Sequence, residues 1–120
     1  MKILIVDDDR DFVSLLMEVL TPRHQVVGIT SGDKVIDWVK NTGSDLILLD
    51  ILLPDSSGLA LVKQIKQAFP QVYIMLISGL MPGLTGSQVR SVGADAFMAK
   101  PLSLRRLLTA IEDLEGTPPA

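Results

Sequence analysis

Ile3-Leu4-Ile5-Val6-Asp7-Asp8-Asp9 is the stretch on which the fold turns. Its apolar run is too brief for a helix and lacks polar alternation, as a strand buried on both faces should, and carboxylates stand where that strand would end. The same sentence is written again at Leu46-Ile47-Leu48-Leu49-Asp50. If the two runs are neighbouring parallel strands, their carboxylates converge at one rim of a sheet. Such a cluster of like charges is unfavourable unless a cation lies between them, so a divalent metal site beside a reactive aspartate is the first expectation.

Working outward, further short apolar runs occur at Val26 to Ile29, Val72 to Ile77 and Ala96 to Ala99. Helical stripes separate them. Phe12, Leu15, Leu16, Val19 and Leu20 recur at a period of 3.6, with Asp9 as N-cap, Asp11 in the positive first turn and Thr21-Pro22 as the stop. Val35, Ile36 and Val39 predict a second helix ending before Gly43, and Leu59, Val62, Ile65 and Phe69 a third that stops at Pro70. Leu104, Leu107, Leu108, Ile111 and Leu114 line the last, capped by Ser103. Between the fourth and fifth runs, Pro82, Gly83 and Gly86 leave only Gln88 to Val92 able to make a turn or two, so a short or irregular fourth helix is expected. Strands alternating with helices give an α/β fold with a parallel sheet.

Composition limits what this frame does. A chain of 120 residues, 48% hydrophobic, makes one domain, predicted over residues 1–114, with residues 115–120 as a linker or frayed tail. The net charge of −3 supplies no basic field for a phosphate backbone, so direct nucleic-acid binding is not expected. Cysteine is absent, which removes thiol chemistry and turns attention to hard, oxygen-loving cations such as Mg²⁺. Neither a signal-peptide pattern nor an apolar segment of membrane-spanning length is present, so a cytoplasmic domain is the expectation.

In an open parallel sheet, ligands bind beyond the carboxyl ends of the strands. Asp7 and Asp8 end the first strand, Asp50 the third and Ser78 the fourth, and Lys100 follows the fifth. Carboxylates, a hydroxyl and an ammonium without a catalytic histidine describe a site for a metal ion and a phosphoryl group, with Asp50 as the nucleophile.

The ordered set Val6-Asp7-Asp8, Leu49-Asp50 with Pro54 and Gly58, Ile77-Ser78-Gly79, and Gly93-Ala94-Asp95 leading to Phe97 and Lys100-Pro101 resembles the receiver domain of two-component response regulators. The resemblance runs from Met1 to about Leu114 and implies a doubly wound, flavodoxin-like (βα)5 fold with strand order 2-1-3-4-5. It implies that Asp50 accepts a phosphoryl group from a sensor histidine kinase or a histidine phosphotransfer protein, in a phosphorelay. Asp8 would bind Mg²⁺ directly and Asp7 mainly through water, with Asp50 and the Leu52 backbone carbonyl completing the set; Mn²⁺ would substitute. Lys100 would pair with the phosphoryl oxygens, aimed by the Lys100-Pro101 turn through a cis peptide as in the family. Ser78 would hydrogen-bond another oxygen, and its inward shift would let Phe97 turn from exposed to buried. The output would pass to an effector domain or partner through the face of the fourth helix, fifth strand and fifth helix, where Leu80, Met81, Leu84, Met98, Leu102 and Leu104 gather, and homodimerisation there is left open.

This chain departs from the commonest family pattern at four positions. Ser78 stands where Thr is frequent, keeping the hydroxyl and losing a methyl group. Phe97 stands where Tyr is frequent, so an aromatic switch would rest on packing alone. Leu52 and Leu80 flank the family's path for the hydrolytic water, which apolar side chains do not orient, and this predicts slow loss of phosphate.

Other readings compete. A receiver-like interaction module that is never phosphorylated would have no chemical need for Asp7, Asp8, Asp50, Ser78 and Lys100 together. Asp7-Asp8-Asp9 also fits the Asp-x-Asp opening of haloacid-dehalogenase-like phosphatases, but Asp11 stands where Thr or Val is usual and the chain has no room for a cap. Asp7, Asp9, Asp11 and Glu18 match positions 1, 3, 5 and 12 of a calcium loop, yet Phe12 occupies the place that needs Gly. Asp9 and Asp11 read as helix-start residues, His24 as surface or structural, Trp38 as packing or partly exposed, and the methionines as core filler.

Overall fold

The computed structural model describes residues 1–53, 57–79 and 86–116, with backbone alone at 86 and 89. Pro54, Leu80, Met81, Pro82, Gly83, Leu84 and the last four residues of the proposed tail, on which sequence expectations fell, lie outside the described residues. The elements alternate as β1 (Lys2–Val6), α1 (Arg10–Leu20), β2 (Gln25–Ile29), α2 (Val35–Thr42), β3 (Leu46–Asp50), α3 (Gly58–Ala68), β4 (Tyr73–Ser78), α4 (Gly86–Ser91), β5 (Ala96–Ala99) and α5 (Leu104–Gly116). All strand pairs are parallel and the order is β2-β1-β3-β4-β5, the doubly wound arrangement expected.

The apolar runs are uninterrupted because both faces of the central strands are covered. Leu4, Val6, Ile47, Leu49, Ile74 and Leu76 point to one layer, where Val35 and Val39 of α2 and Leu61, Val62 and Ile65 of α3 meet them. Ile3, Ile5, Leu46, Leu48, Met75 and Ile77 point to the other, against Val13, Leu16 and Leu20 of α1 and Leu107 and Ile111 of α5. The edge strands β2 and β5 are only part-buried. Register brings Val6 beside Leu49 and Asp50 beside Ile77, so the carboxyl ends of β1, β3 and β4 form one rim.

The helix ends follow local chemistry. Asp9 caps α1 by accepting the N–H groups of Asp11 and Phe12, and Gly43 ends α2 at φ 76, a left-handed conformation that glycine adopts without a steric penalty. The fourth helix is short, six residues, as the local glycines and prolines predicted. α5 corrects the tail boundary, since Glu115 and Gly116 belong to its last turn. The end of α5 faces the α1–β2 connection, with Glu112 lying 3.7 Å from Arg23 and Glu115 3.5 Å from the His24 ring. Composition marked Glu115 as chain end because its partner, His24, is distant in sequence.

Candidate functional site: an acidic rim with a part-buried ammonium

Asp7 and Asp50 are nearly sealed, 2% and 7% exposed, whereas Asp8 is exposed. One carboxyl oxygen from each of the three lies within 4.8 Å of the others. Each carboxylate is oriented by the loop that follows its strand. Asp7 Oδ1 accepts the Asp9 N–H at 2.9 Å, and Asp50 Oδ1 accepts the Leu52 N–H at 3.1 Å. The residue after the β3 loop must be glycine, because a Cβ on Gly58 would lie 2.4 Å from the Asp50 carbonyl oxygen and 2.7 Å from Ile51 Cα. α3 therefore starts directly against the end of β3. Close packing there fixes the backbone that carries Asp50.

Lys100 reaches the rim from the end of β5. Its N–H donates to the Ser78 carbonyl at 2.9 Å, its stem runs beside Gly79, and its Nζ lies 2.7 Å from Asp7 Oδ2 and 3.6 Å from Asp50 Oδ2. The Lys100-Pro101 peptide is cis. Sequence reasoning placed Phe12 in the core stripe of α1; its ring does pack on that layer, but the ring centroid also lies 4.4 Å from Lys100 Nζ. Nothing in the sequence spacing signals this contact, which depends on β1 and β5 both facing the α1–α5 layer.

The electrostatics follow from burial. Desolvation pushes the Asp50 carboxyl above its ordinary value; the Leu52 N–H opposes the shift, the Asp7 charge adds to it, Lys100 opposes and Asp8 adds. For Lys100, burial disfavours the charged form, but the hydrogen bond to Asp7 and the charges of Asp7, Asp50 and Asp9 outweigh it and leave the pKa raised. The ammonium is thus firmly protonated and offsets part of the negative charge.

Ser78, 3% exposed, closes the rim on the β4 side, and its Oγ has no hydrogen-bond partner among the described residues. An unsatisfied buried hydroxyl costs about 1–3 kcal/mol. Phe97 on β5 is 37% exposed, while Met98, Leu102 and Leu104, expected on the output face, are part-buried against the α1–α5 layer. Pro101 is exposed beside Lys100 and Leu52 is 57% exposed beside Asp50. His24 is buried, the structural one of its two expected roles, between the Met1 amino group and Glu115, far along the sheet from the acidic rim. Trp38 is half-buried against the α2–α3 layer.

The donor set suits a hard cation. Three carboxylates within 4.8 Å are close to the span of roughly 4 Å across an octahedral Mg²⁺, and one of them is open to solvent. A doubly wound parallel sheet with paired aspartates, a lone aspartate, a hydroxyl and a lysine on its carboxyl rim defines a class of protein, and the comparisons agree with it. Residues 3–112 match the response regulator receiver domain, and the chain belongs to that family. It is 34% identical over 116 residues to the transcriptional regulatory protein CpxR of Escherichia coli K12, covering 92% of this chain and 47% of that protein. It is 31% identical over 121 residues to the DNA-binding transcriptional regulator NtrC of Azospirillum brasilense, covering 98% of this chain and 25% of that one. Among solved structures, the BeF3-activated N-terminal receiver domain of Klebsiella pneumoniae RstA matches at TM-score 0.88 and 25% identity, covering 98% of this chain and 100% of that one. The chain spans about half or less of the length of these curated relatives. Among the described residues, no helix is long and apolar enough to cross a membrane.

Proposed function

We propose that this chain is the phosphoacceptor receiver of a two-component or phosphorelay pathway and that Asp50 accepts the phosphoryl group. The observation that carries this is the placing of a near-sealed Asp50 carboxylate between an acidic pair and a lysine ammonium 3.6 Å away. The donor would be a phosphohistidine of a sensor kinase or phosphotransfer protein. An Asp50 oxygen attacks phosphorus, the O–P bond forms as the P–N bond breaks, and the electron pair returns to the imidazole nitrogen, which takes a proton.

The chain's own residues divide the task. Asp7, Asp8, Asp50 and the Leu52 carbonyl would hold Mg²⁺ or Mn²⁺, with Asp8 the most open of the carboxylates. The ion supplies neutralisation of the clustered charge and of the charge that builds on the transferring oxygens. Leu52 N–H holds Asp50 Oδ1, leaving Oδ2 turned toward Lys100 as the attacking oxygen. Lys100 then pairs with the new oxygens, and Ser78 Oγ, which has no partner among the described residues, donates to another. That second bond is available only after phosphorylation, so it favours a shifted β4 end and a buried Phe97 over the exposed ring of the resting state. Relatives named as transcriptional regulators support an output through a DNA-binding partner or attached domain, reached by the α4–β5–α5 face. We assign the folded region to one cytoplasmic receiver domain with a linker after it.

Incubation with Mg²⁺ and acetyl phosphate tests the reading by intact mass. One phosphate adduct on the native protein, absent in Asp50→Asn and after chelation, is the expected result. An unmodified protein would favour a binding module that is never phosphorylated, and an adduct retained in Asp50→Asn but lost in Asp7→Asn would favour the phosphatase-like reading.

A further inference from the structure

Phe12 joins the acidic rim from the side that sequence reasoning gave to the core. Its ring centroid is 4.4 Å from Lys100 Nζ, and the same Nζ is held by Asp7 at 2.7 Å. We propose that Phe12 is a positioning residue for Lys100: the ring face keeps the ammonium over the rim while leaving its N–H donors free for the oxygens arriving on Asp50. This inference rests on the phosphoacceptor reading above.

The ring and the carboxylate it works beside are one rigid unit. Asp7 Oδ1 holds the Asp9 N–H at 2.9 Å, and Asp9 Oδ1 in turn accepts the Asp11 and Phe12 N–H groups at 3.1 and 3.2 Å. Phe12 is therefore placed relative to Asp7 by a continuous hydrogen-bonded turn, and its ring is anchored in the α1–α5 core layer. The lysine is fixed from the other end, by its N–H on Ser78 and its stem beside Gly79, and its side chain is 22% exposed. At such a partly dehydrated site a cation and a ring face attract appreciably.

The ammonium must change partners during the reaction. In the resting state its shortest contact is Asp7, yet a phosphoryl group on Asp50 needs those donors 3.6 Å or so away. A carboxylate at position 12 would hold the ammonium by taking its N–H groups and so compete with the phosphoryl oxygens. An aliphatic side chain would dehydrate it without attracting it. An aromatic face attracts the charge, offers no lone pair in competition, and tolerates a small lateral shift because its field varies gently across the ring.

The test replaces Phe12 by phenylalanines carrying one, two or three ring fluorines, which weaken the negative face and keep the shape. Acetyl phosphate is the donor: its O–P bond to acetate breaks, acetate leaves with the electron pair, and the O–P bond to Asp50 forms. At saturating Mg²⁺ the rate of adduct formation should fall stepwise with fluorination, by about two- to five-fold in total, as expected for a part-exposed cation–π contact. Melting temperature and the Mg²⁺ midpoint should hold, and Phe12→Trp should preserve the rate. A second reading is direct. The Lys100 Hε protons should be displaced upfield by the ring current, both without ions and with Mg²⁺ and BeF3⁻, and the displacement should vanish in Phe12→Leu. A flat rate across the fluorinated series, or unshifted Hε protons, would overturn the inference while leaving Asp50 as acceptor. No adduct on the unsubstituted protein would instead defeat the phosphoacceptor reading and this inference with it.

Discussion

At the scale of single residues, the site is a balance between burial and charge, and each side chain can be asked separately what it contributes. Burial disfavours the ionised form of the Asp50 carboxyl, and desolvation leads the causes that raise its pKa above the ordinary 3.8. Below that value both folded and unfolded chains carry the proton and no penalty exists. As pH rises, the unfolded chain releases its proton first, so folded stability falls until the raised folded pKa has been passed. Asp50→Asn should therefore stabilise the Mg²⁺-free protein at neutral pH, and urea titrations should show the gain shrinking to nothing in acid; equal gains at both pH values would contradict the burial account. Leu52 argues a different point. Its side chain is 57% exposed two positions after Asp50 and presents no group that could orient water. Once phosphorylated, Leu52→Asn should lose the adduct several-fold faster than the native protein, measured by mass under matched Mg²⁺ and temperature. The residue types at the rim were legible in sequence because Asp7, Asp8, Asp50, Ser78 and Lys100 each follow an apolar run. Phe12 was legible only as a core residue. Its second role depends on Lys100, 88 positions away by subtraction of the two residue numbers, and only the sheet order closes that separation.

At the scale of elements, what matters is how strands and helices hold those groups still. α3 begins so close to the end of β3 that a methyl group on Gly58 would strike the Asp50 carbonyl oxygen and Ile51 Cα, both backbone atoms with no rotamer to escape into. Gly58→Ala should destabilise the protein by about 1–3 kcal/mol, the usual range for overpacking, and slow phosphorylation because relief must move the backbone of Asp50. Thermal melts and adduct kinetics check the two effects together; a neutral variant would show that the loop accommodates the methyl. Helix boundaries were readable where they rest on local chemistry, as at Asp9 before α1 and Gly43 after α2. The end of α5 was not, because Glu115 is held through His24, which is tied in turn to Met1. The apolar face around β5 was legible in sequence only as a set of residues, because spacing gives amphipathicity and not contacts. Met98, Leu102 and Leu104 are part-buried against the α1–α5 layer, and Phe97 is the exposed ring beside them.

At the scale of the whole molecule, two apolar layers clamp a parallel sheet whose one acidic rim is electrostatically unfavourable by construction. The runs at Ile3 to Val6 and Leu46 to Leu49 announced both facts together, since strands buried on both faces leave their carboxylates nowhere to go but the rim. A cation that binds this folded rim and not the unfolded chain must raise stability, by about 2.7 kcal/mol at a hundredfold excess over its dissociation constant. Melting temperature should climb by several degrees across a Mg²⁺ titration, and the rise should be lost in Asp8→Asn; an unchanged melt would count against the metal assignment. The central claim, that Asp50 carries the phosphoryl group, is reached most directly by trapping. Borohydride reduces an acyl phosphate to an alcohol, so protein treated with acetyl phosphate and Mg²⁺, then reduced, digested and sequenced by mass, should show homoserine at position 50 and aspartate at positions 7, 8 and 9. Homoserine at position 7, or at none of the four, would contradict the account.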